Sequence, residues 1–254
     1  MWVLVSMFAA AFAASPQSLY VEGLDHARAG RPAEAADAYV SVLEAGGRDP
    51  AVYHGLGNAL WRLDRQGPAM AAWRRGLRLE PRNGDIAANL ERARRASRDH
   101  LQSPAPAADL YFWQGMLSPR DSGLLASLFF ALALGIPVMR RFRRHAWTLR
   151  WDALLCAAVG ILLALSTRAA LVTDASVVLV VPEVSVRSAP GPDGVELFVL
   201  HEGAEVRLLE THREHHLVAL PDARKGWVPA ETTLSTDPSA PFPRLALVKG
   251  LGTP

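Results

Sequence analysis

The chain has 254 residues, a formal net charge of +2 and hydrophobic side chains at half of its positions. A single cysteine excludes a disulfide framework and a cysteine-based metal site. Near-neutral charge gives no reason to expect nucleic acid as a partner, and the length leaves room for two small soluble domains beside membrane spans rather than one large core.

Residues 1–14 are apolar and end in small residues, with Ala11-Phe12-Ala13 as a small-x-small site. They read as a signal peptide or a short N-terminal anchor, although no Lys or Arg precedes Arg28 to supply a basic start. Either form delivers the adjoining segment out of the cytoplasm.

Residues 15–100 carry a helical pattern. Tyr53-x-x-Leu56-Gly57-x-x-Leu60, Ala69, Trp73 and Pro81 follow the spacing of a tetratricopeptide repeat, a helix–turn–helix unit of 34 residues. Gly57 lets two helices approach closely, Ala69 is the small residue facing it, Trp73 fills the space between helices, and Pro81 ends the second helix. One period earlier, Gly23, Ala35 and Tyr39 take the corresponding places, with His26 where an apolar residue is expected. One period later only Asp85–Arg98 remains, a single solvating helix with Ile86, Leu90 and Ala93 as a narrow apolar stripe. Two repeats plus a capping helix fall below the usual minimum of about three, so further packing from the linker or a partner is expected.

Repeat arrays bind partners in a groove formed by their first helices. In this register Tyr20, His54, Asn58, Trp61, Arg62 and Arg92 face that groove. Asn58, Arg62 and Arg92 suit a peptide carboxylate, through charge-assisted bonds; the alternative is a solvated polar face. Asn58 and Arg92 fall on two positions of the carboxylate clamp of chaperone-binding repeats, whose lysines are absent here.

Residues 101–121 read as a linker and interfacial segment. Ser103-Pro-Ala-Pro106 is a stiff spacer, and Tyr111, Phe112 and Trp113 suit a membrane surface. Two apolar runs come next, Gly123–Met139 and Ala153–Thr167, assigned to transmembrane helices over residues 122–139 and 151–172. The first has no polar face at helical period, and Pro137 falls in its last turn. Arg168 lies near the end of the second and can snorkel outward. Between the runs, residues 140–150 hold Arg140, Arg141, Arg143, Arg144 and Arg150, flanked by Trp147 and Trp151. Basic residues in short loops stay on the cytoplasmic side, so both soluble parts are expected in the periplasm of a bacterial inner membrane.

Residues 176–236 change to short β-branched runs split by turns: Val177–Val181, Val184–Arg187, Glu196–Leu200, Ala204–Glu210, Leu217–Leu220 and Gly226–Pro229. Several short strands suggest a small bent β-barrel. Val184-Ser-Val-Arg-Ser-Ala-Pro190, Leu200-x-x-Gly203 and Gly226-Trp227-Val228 resemble the bacterial SH3-like domain, with Ser185 for Asn, and Ala189 and Ala223 for Gly. Trp227 is expected in its core. His212-Arg-Glu-His215-His216 is the one histidine cluster, in which His212 and His216 could share a hairpin face, but a metal needs more converging ligands and none is assigned. Residues 237–254 read as a tail.

No Walker loop, Gly-x-Ser-x-Gly or His-Glu-x-x-His is present, so no catalytic residue or cofactor is expected. The fold class is thus a multidomain membrane protein: an all-α tetratricopeptide-repeat domain, a two-helix transmembrane hairpin and a small all-β SH3-like barrel. The series resembles BatE-type proteins of the bacterial aerotolerance operon, most specifically at Leu56-Gly57-Asn58-Ala59, Leu79-Glu80-Pro81 and Asp85–Leu90. That resemblance implies a non-enzymatic scaffold in oxidative or envelope stress. Its partners would be von Willebrand A-domain membrane proteins and, indirectly, a MoxR-type ATPase. The alternative is a cell-wall sensor or anchor whose SH3-like domain binds peptidoglycan peptides.

Overall fold

The computed structural model describes residues 15–99, 101, 117, 119–142, 151–173 and 176–244, with side chains at all of these except 119, 140–142 and 169–173. The signal or anchor, most of the linker with Tyr111, Phe112 and Trp113, Trp147, the side chains of Arg140 and Arg141, and Arg143, Arg144 and Arg150 lie outside the described residues. Two compact units form, one from residues 1–104 and 176–254 and one from residues 105–175.

Among the described residues the first unit has five helices: α1 (Pro16–Arg28), α2 (Pro32–Glu44), α3 (Pro50–Arg62), α4 (Gln66–Leu79) and α5 (Gly84–Ala96). Their starts at 16, 50 and 84, and at 32 and 66, step by 34 residues. Local chemistry repeats with that step. Pro16 and Pro50 open α1 and α3 behind the capping side chains of Ser15 and Asp49. Gly30 and Asp64, at φ of 71° and 58°, close the turns between paired helices in the left-handed region. The next N–H in each, Arg31 and Arg65, donates to the carbonyl five residues back at 3.0 Å. A Cβ on Gly23 would strike the ring of Tyr39, and one on Gly57 the ring of Trp73. Close approach at these two glycines is what lets each aromatic ring fill its helix pair.

Its described residues also form seven antiparallel strands: β1 (Ser176–Leu179), β2 (Glu183–Arg187), β3 (Glu196–His201), β4 (Glu205–His212), β5 (His215–Ala219), β6 (Lys225–Pro229) and β7 (Thr233–Ser235). They form one sheet in the order β3-β2-β6-β5-β4-β1-β7. The expected strands match six of these to within about three residues, and β7 is additional. Val177 and Leu179 face the sheet's own core, whereas Val178 and Leu234 join the helical core with Leu60, Met70 and Trp73. All four residues of β1 are therefore buried, which a strand achieves only between two apolar layers.

Two expectations change here. Gly226 and Val228 are the buried residues of β6, so alternation turns Trp227 to the other face, half-buried beside His212 at 6.3 Å rather than in the core. The β4–β5 register pairs His212 with His215 and Thr211 with His216, which puts His212 and His216 on opposite faces.

Polar contacts bind the sheet to the helices. Glu205, 4% exposed, forms an ion pair with Arg74, whose Nε approaches to 2.6 Å, and accepts from Arg94 Nε at 2.7 Å. Burial pushes its carboxyl up, but the Arg74 charge and the Arg94 bonds outweigh this and hold it below its ordinary value. Asp99 accepts from the His201 N–H at 2.7 Å, and the Gly67 N–H donates to Glu202 at 2.9 Å. Residues 237–244, expected as part of a tail, run back over the helices and bury Phe242 in the helical core. Val178 of β1 and Leu234 of β7 supply the extra packing that so short a helical stack requires.

The second unit holds α6 (Pro119–Phe142) and α7 (Trp151–Thr173). Both are long and apolar enough to cross a membrane, with mean hydropathy of 2.0 over Arg120–Met139 and 1.5 over Trp151–Arg168. They pack together through small residues, Gly160 lying against Phe130, while Leu124, Leu134, Leu155 and Ile161 are exposed. Pro137 sits inside α6, and α7 runs past Arg168, which stays exposed.

Candidate functional site

A groove runs along the helical stack, and α3 forms its floor. His54, Asn58, Trp61 and Arg62 lie at i, i+4, i+7 and i+8 of that helix and so share one face. The structure gathers all six expected residues along this groove in two adjoining recesses. Tyr20, His54, Asn58 and Arg62 line one of about 350 Å³. Asn58, Trp61, Arg62 and Arg92 line the other, of about 250 Å³. Asn58 and Arg62 belong to both.

Sequence reasoning missed Asn89, which ties the groove together. Its amide nitrogen donates to Asn58 Oδ1 at 3.0 Å and lies 3.2 Å from His54 Nε2, and its oxygen accepts from Arg92 at 3.4 Å. Asn89 sits inside the Asp85–Leu90 motif, and its place three residues before Arg92 puts it on the groove side of α5, but its bonds to Asn58 and His54 are not encoded in that spacing. Tyr39 and Trp73 form the back walls, ringed by Tyr20 at 6.0 Å and Trp61 at 5.8 Å. Burial, then the neighbouring Tyr20, pushes the Tyr39 hydroxyl above its usual value, so it stays protonated.

Arg62 spends one bond on the Ala27 carbonyl at 3.3 Å, and both Arg62 and Arg92 are exposed. Among the described residues no partner occupies the Asn58 amide nitrogen. The groove therefore offers hydrogen-bond donors beside aromatic walls, a lining that suits carboxylates and peptide carbonyls. No protein-family model, curated protein or solved structure matches the chain.

Proposed function

We propose that the chain is a membrane-anchored, non-enzymatic scaffold that holds a partner protein in the helical groove. The observation that carries this reading is the sharing of Asn58 and Arg62 by two aromatic-walled recesses. The helical stack is read as two tetratricopeptide repeats with a cap, supported by the 34-residue step in helix starts and in the Gly23–Tyr39 and Gly57–Trp73 contacts. The sheet is read as an SH3-like module. The spans are α6 and α7, and the arginines of residues 140–150 favour a cytoplasmic loop with both soluble parts in the periplasm.

On the resemblance to BatE-type proteins, the proposed partners are von Willebrand A-domain membrane proteins in a stress response. A MoxR-type ATPase would be reached through them, because the cytoplasm meets only the short arginine segment. Trp227, turned outward beside His212, favours a second reading in which the sheet binds peptidoglycan peptides.

A photo-crosslinker at Trp61 in native membranes tests the first reading. A protein adduct that disappears in Arg62→Glu/Arg92→Glu supports it, and no adduct, or one unchanged by the double variant, overturns it. Retention on isolated sacculi, lost in Trp227→Ser, would favour the second. Alkaline phosphatase fused at Asp99 and Pro238 should be active, and at Arg144 inactive.

A further inference from the structure

Residues 237–244, Asp-Pro-Ser-Ala-Pro-Phe-Pro-Arg, are held in a manner unlike the rest of the chain. The sheet ladder ends just before them, where the Thr236 N–H donates to the Ser176 carbonyl at 3.1 Å. Beyond it, among the described residues, the only backbone–backbone bond is the local turn from Ala240 to Asp237. Two short side-chain bonds are local, the Asp237 N–H to Ser235 Oγ at 3.1 Å and the Ser239 N–H to Asp237 Oδ1 at 2.8 Å, and the remaining polar ties join the segment to side chains of the helical stack and its α2–α3 loop. Tyr53 donates to the Pro238 carbonyl at 2.8 Å, and Arg48 to the Pro238 and Ser239 carbonyls at 3.0 and 3.2 Å.

Arg75 is the centre of this arrangement. It is 0% exposed, yet its guanidinium meets carbonyls, Ser235 at 2.9 Å, Ala240 at 2.9 Å and Pro241 at 3.3 Å, and the ring of Phe242 at 5.0 Å. A buried cation is normally paired directly with a carboxylate; here Asp237 acts on it only electrostatically, and its hydrogen bonds go to the carbonyls of Ser235 at the end of β7 and of Ala240 and Pro241 in the segment. Phe242 is the one buried anchor, 5% exposed, while Asp237, Ser239, Pro241 and Pro243 are exposed. Arg244 finishes the contact with a two-pronged bond to Glu44 at 2.6 and 2.9 Å. Donors on carbonyls, one aromatic anchor, flanking prolines and a terminal charge pair are how a surface holds a linear peptide.

We propose that Arg48, Tyr53, Arg75 and Glu44 form a second peptide-binding site, distinct from the groove, whose ligand class is an extended Pro-aromatic-Pro-Arg segment. The chain's own residues 237–244 fill it in cis, and a protein bearing such a segment competes with them. The prolines keep the ordering cost low, so a free peptide of this sequence binds once the tethered copy is weakened.

The test uses the full chain in nonionic detergent and a fluorescent peptide of residues 237–244, read by anisotropy. Phe242→Ser, which loosens the tethered segment, should bind the peptide at least tenfold more tightly than the unaltered chain, where the tethered copy competes at about millimolar effective concentration. A peptide with Ser at the Phe242 position should not bind. A folded Phe242→Ser chain that ignores the peptide, or equal binding by both chains, overturns the proposal. So does loss of the helical circular-dichroism signal in Phe242→Ser, which would make the segment part of the core rather than a ligand.

Discussion

Glu205 is the polar centre of the helix–sheet contact, and Glu205→Gln measures what it contributes. Gln keeps the shape and one accepting oxygen but removes the charge facing Arg74 and Arg94, whose nitrogens approach at 2.6 and 2.7 Å. Breaking a buried ion pair costs about 3–5 kcal/mol when the partner stays buried. The two arginine side chains are 23% and 24% exposed and recover some hydration, so the lower end, about 3 kcal/mol, is expected. Arg95→Ala is the control: its contact with Glu91 at 3.8 Å is well exposed and should be worth at most about 1 kcal/mol. Pulse proteolysis of the full chain in detergent across a urea series reads both. The pH dependence adds a second check. Because Glu205 is held below its ordinary 4.5 in the folded state, the stability it lends is complete above that value and drains as pH falls through the lowered one. The Gln variant should lose that acid slope. A cost below about 1 kcal/mol, or an unchanged slope, would refute the reasoning.

Gly67→Ala places a methyl against the Leu179 carbonyl and within 3.0 Å of Val180 Cα, backbone that cannot step aside. A net loss of about 2 kcal/mol in urea unfolding is expected after the gain in helix propensity, whereas Gly84→Ala, in open space, should gain up to about 1 kcal/mol. Ala223 sits at φ 69°, so Ala223→Gly should stabilise the chain by about 0.5–1 kcal/mol, read as a raised urea midpoint. Burial lowers the pKa of His216, which lies 2.8 Å from the Thr233 hydroxyl. The stability tied to its neutral ring is complete above its ordinary 6.5 and drains as pH falls below it, so His216→Gln should lose less stability than the unaltered chain between about pH 7 and 5.5.

The helices were legible in the sequence because their signals are local and periodic. Gly23 with Tyr39 and Gly57 with Trp73 recur at one spacing, and Ile86, Leu90 and Ala93 are the buried residues of α5 as the stripe predicts. The sheet was legible through its turns, although β7 has three residues and no alternation long enough to read. What no pattern carried was the contact between the two. Arg94 and Glu205 stand 111 residues apart, and an arginine on a polar helix face reads as solvated until its partner is placed. Residues 237–244 escaped for a related reason: proline-rich sequence signals a lack of regular structure, and Phe242 alone cannot announce where it docks. In the groove, one helix period supplied His54, Asn58, Trp61 and Arg62, while Asn89 matters through hydrogen bonds that spacing does not encode.

The shared burial of β1 determines how the first unit unfolds. A stack of two helix pairs and one further helix leaves the outer faces of α4 and α5 without a following repeat. Val178 and Leu234 enter the helical core there, while Val177 and Leu179 on the same strand complete the sheet's core. Removing the helices would uncover one face of β1, and removing the sheet would uncover Met70, against which Gly203 of the β3–β4 turn packs. Neither half keeps a closed core without the other, so residues 15–99 and 176–236 should unfold in one cooperative step. Hydrogen exchange of the full chain in detergent should therefore give the slowest amides of α4 and of β5 the same opening free energy. A sheet that opens while α4 stays protected would refute the shared core and restore two independent domains.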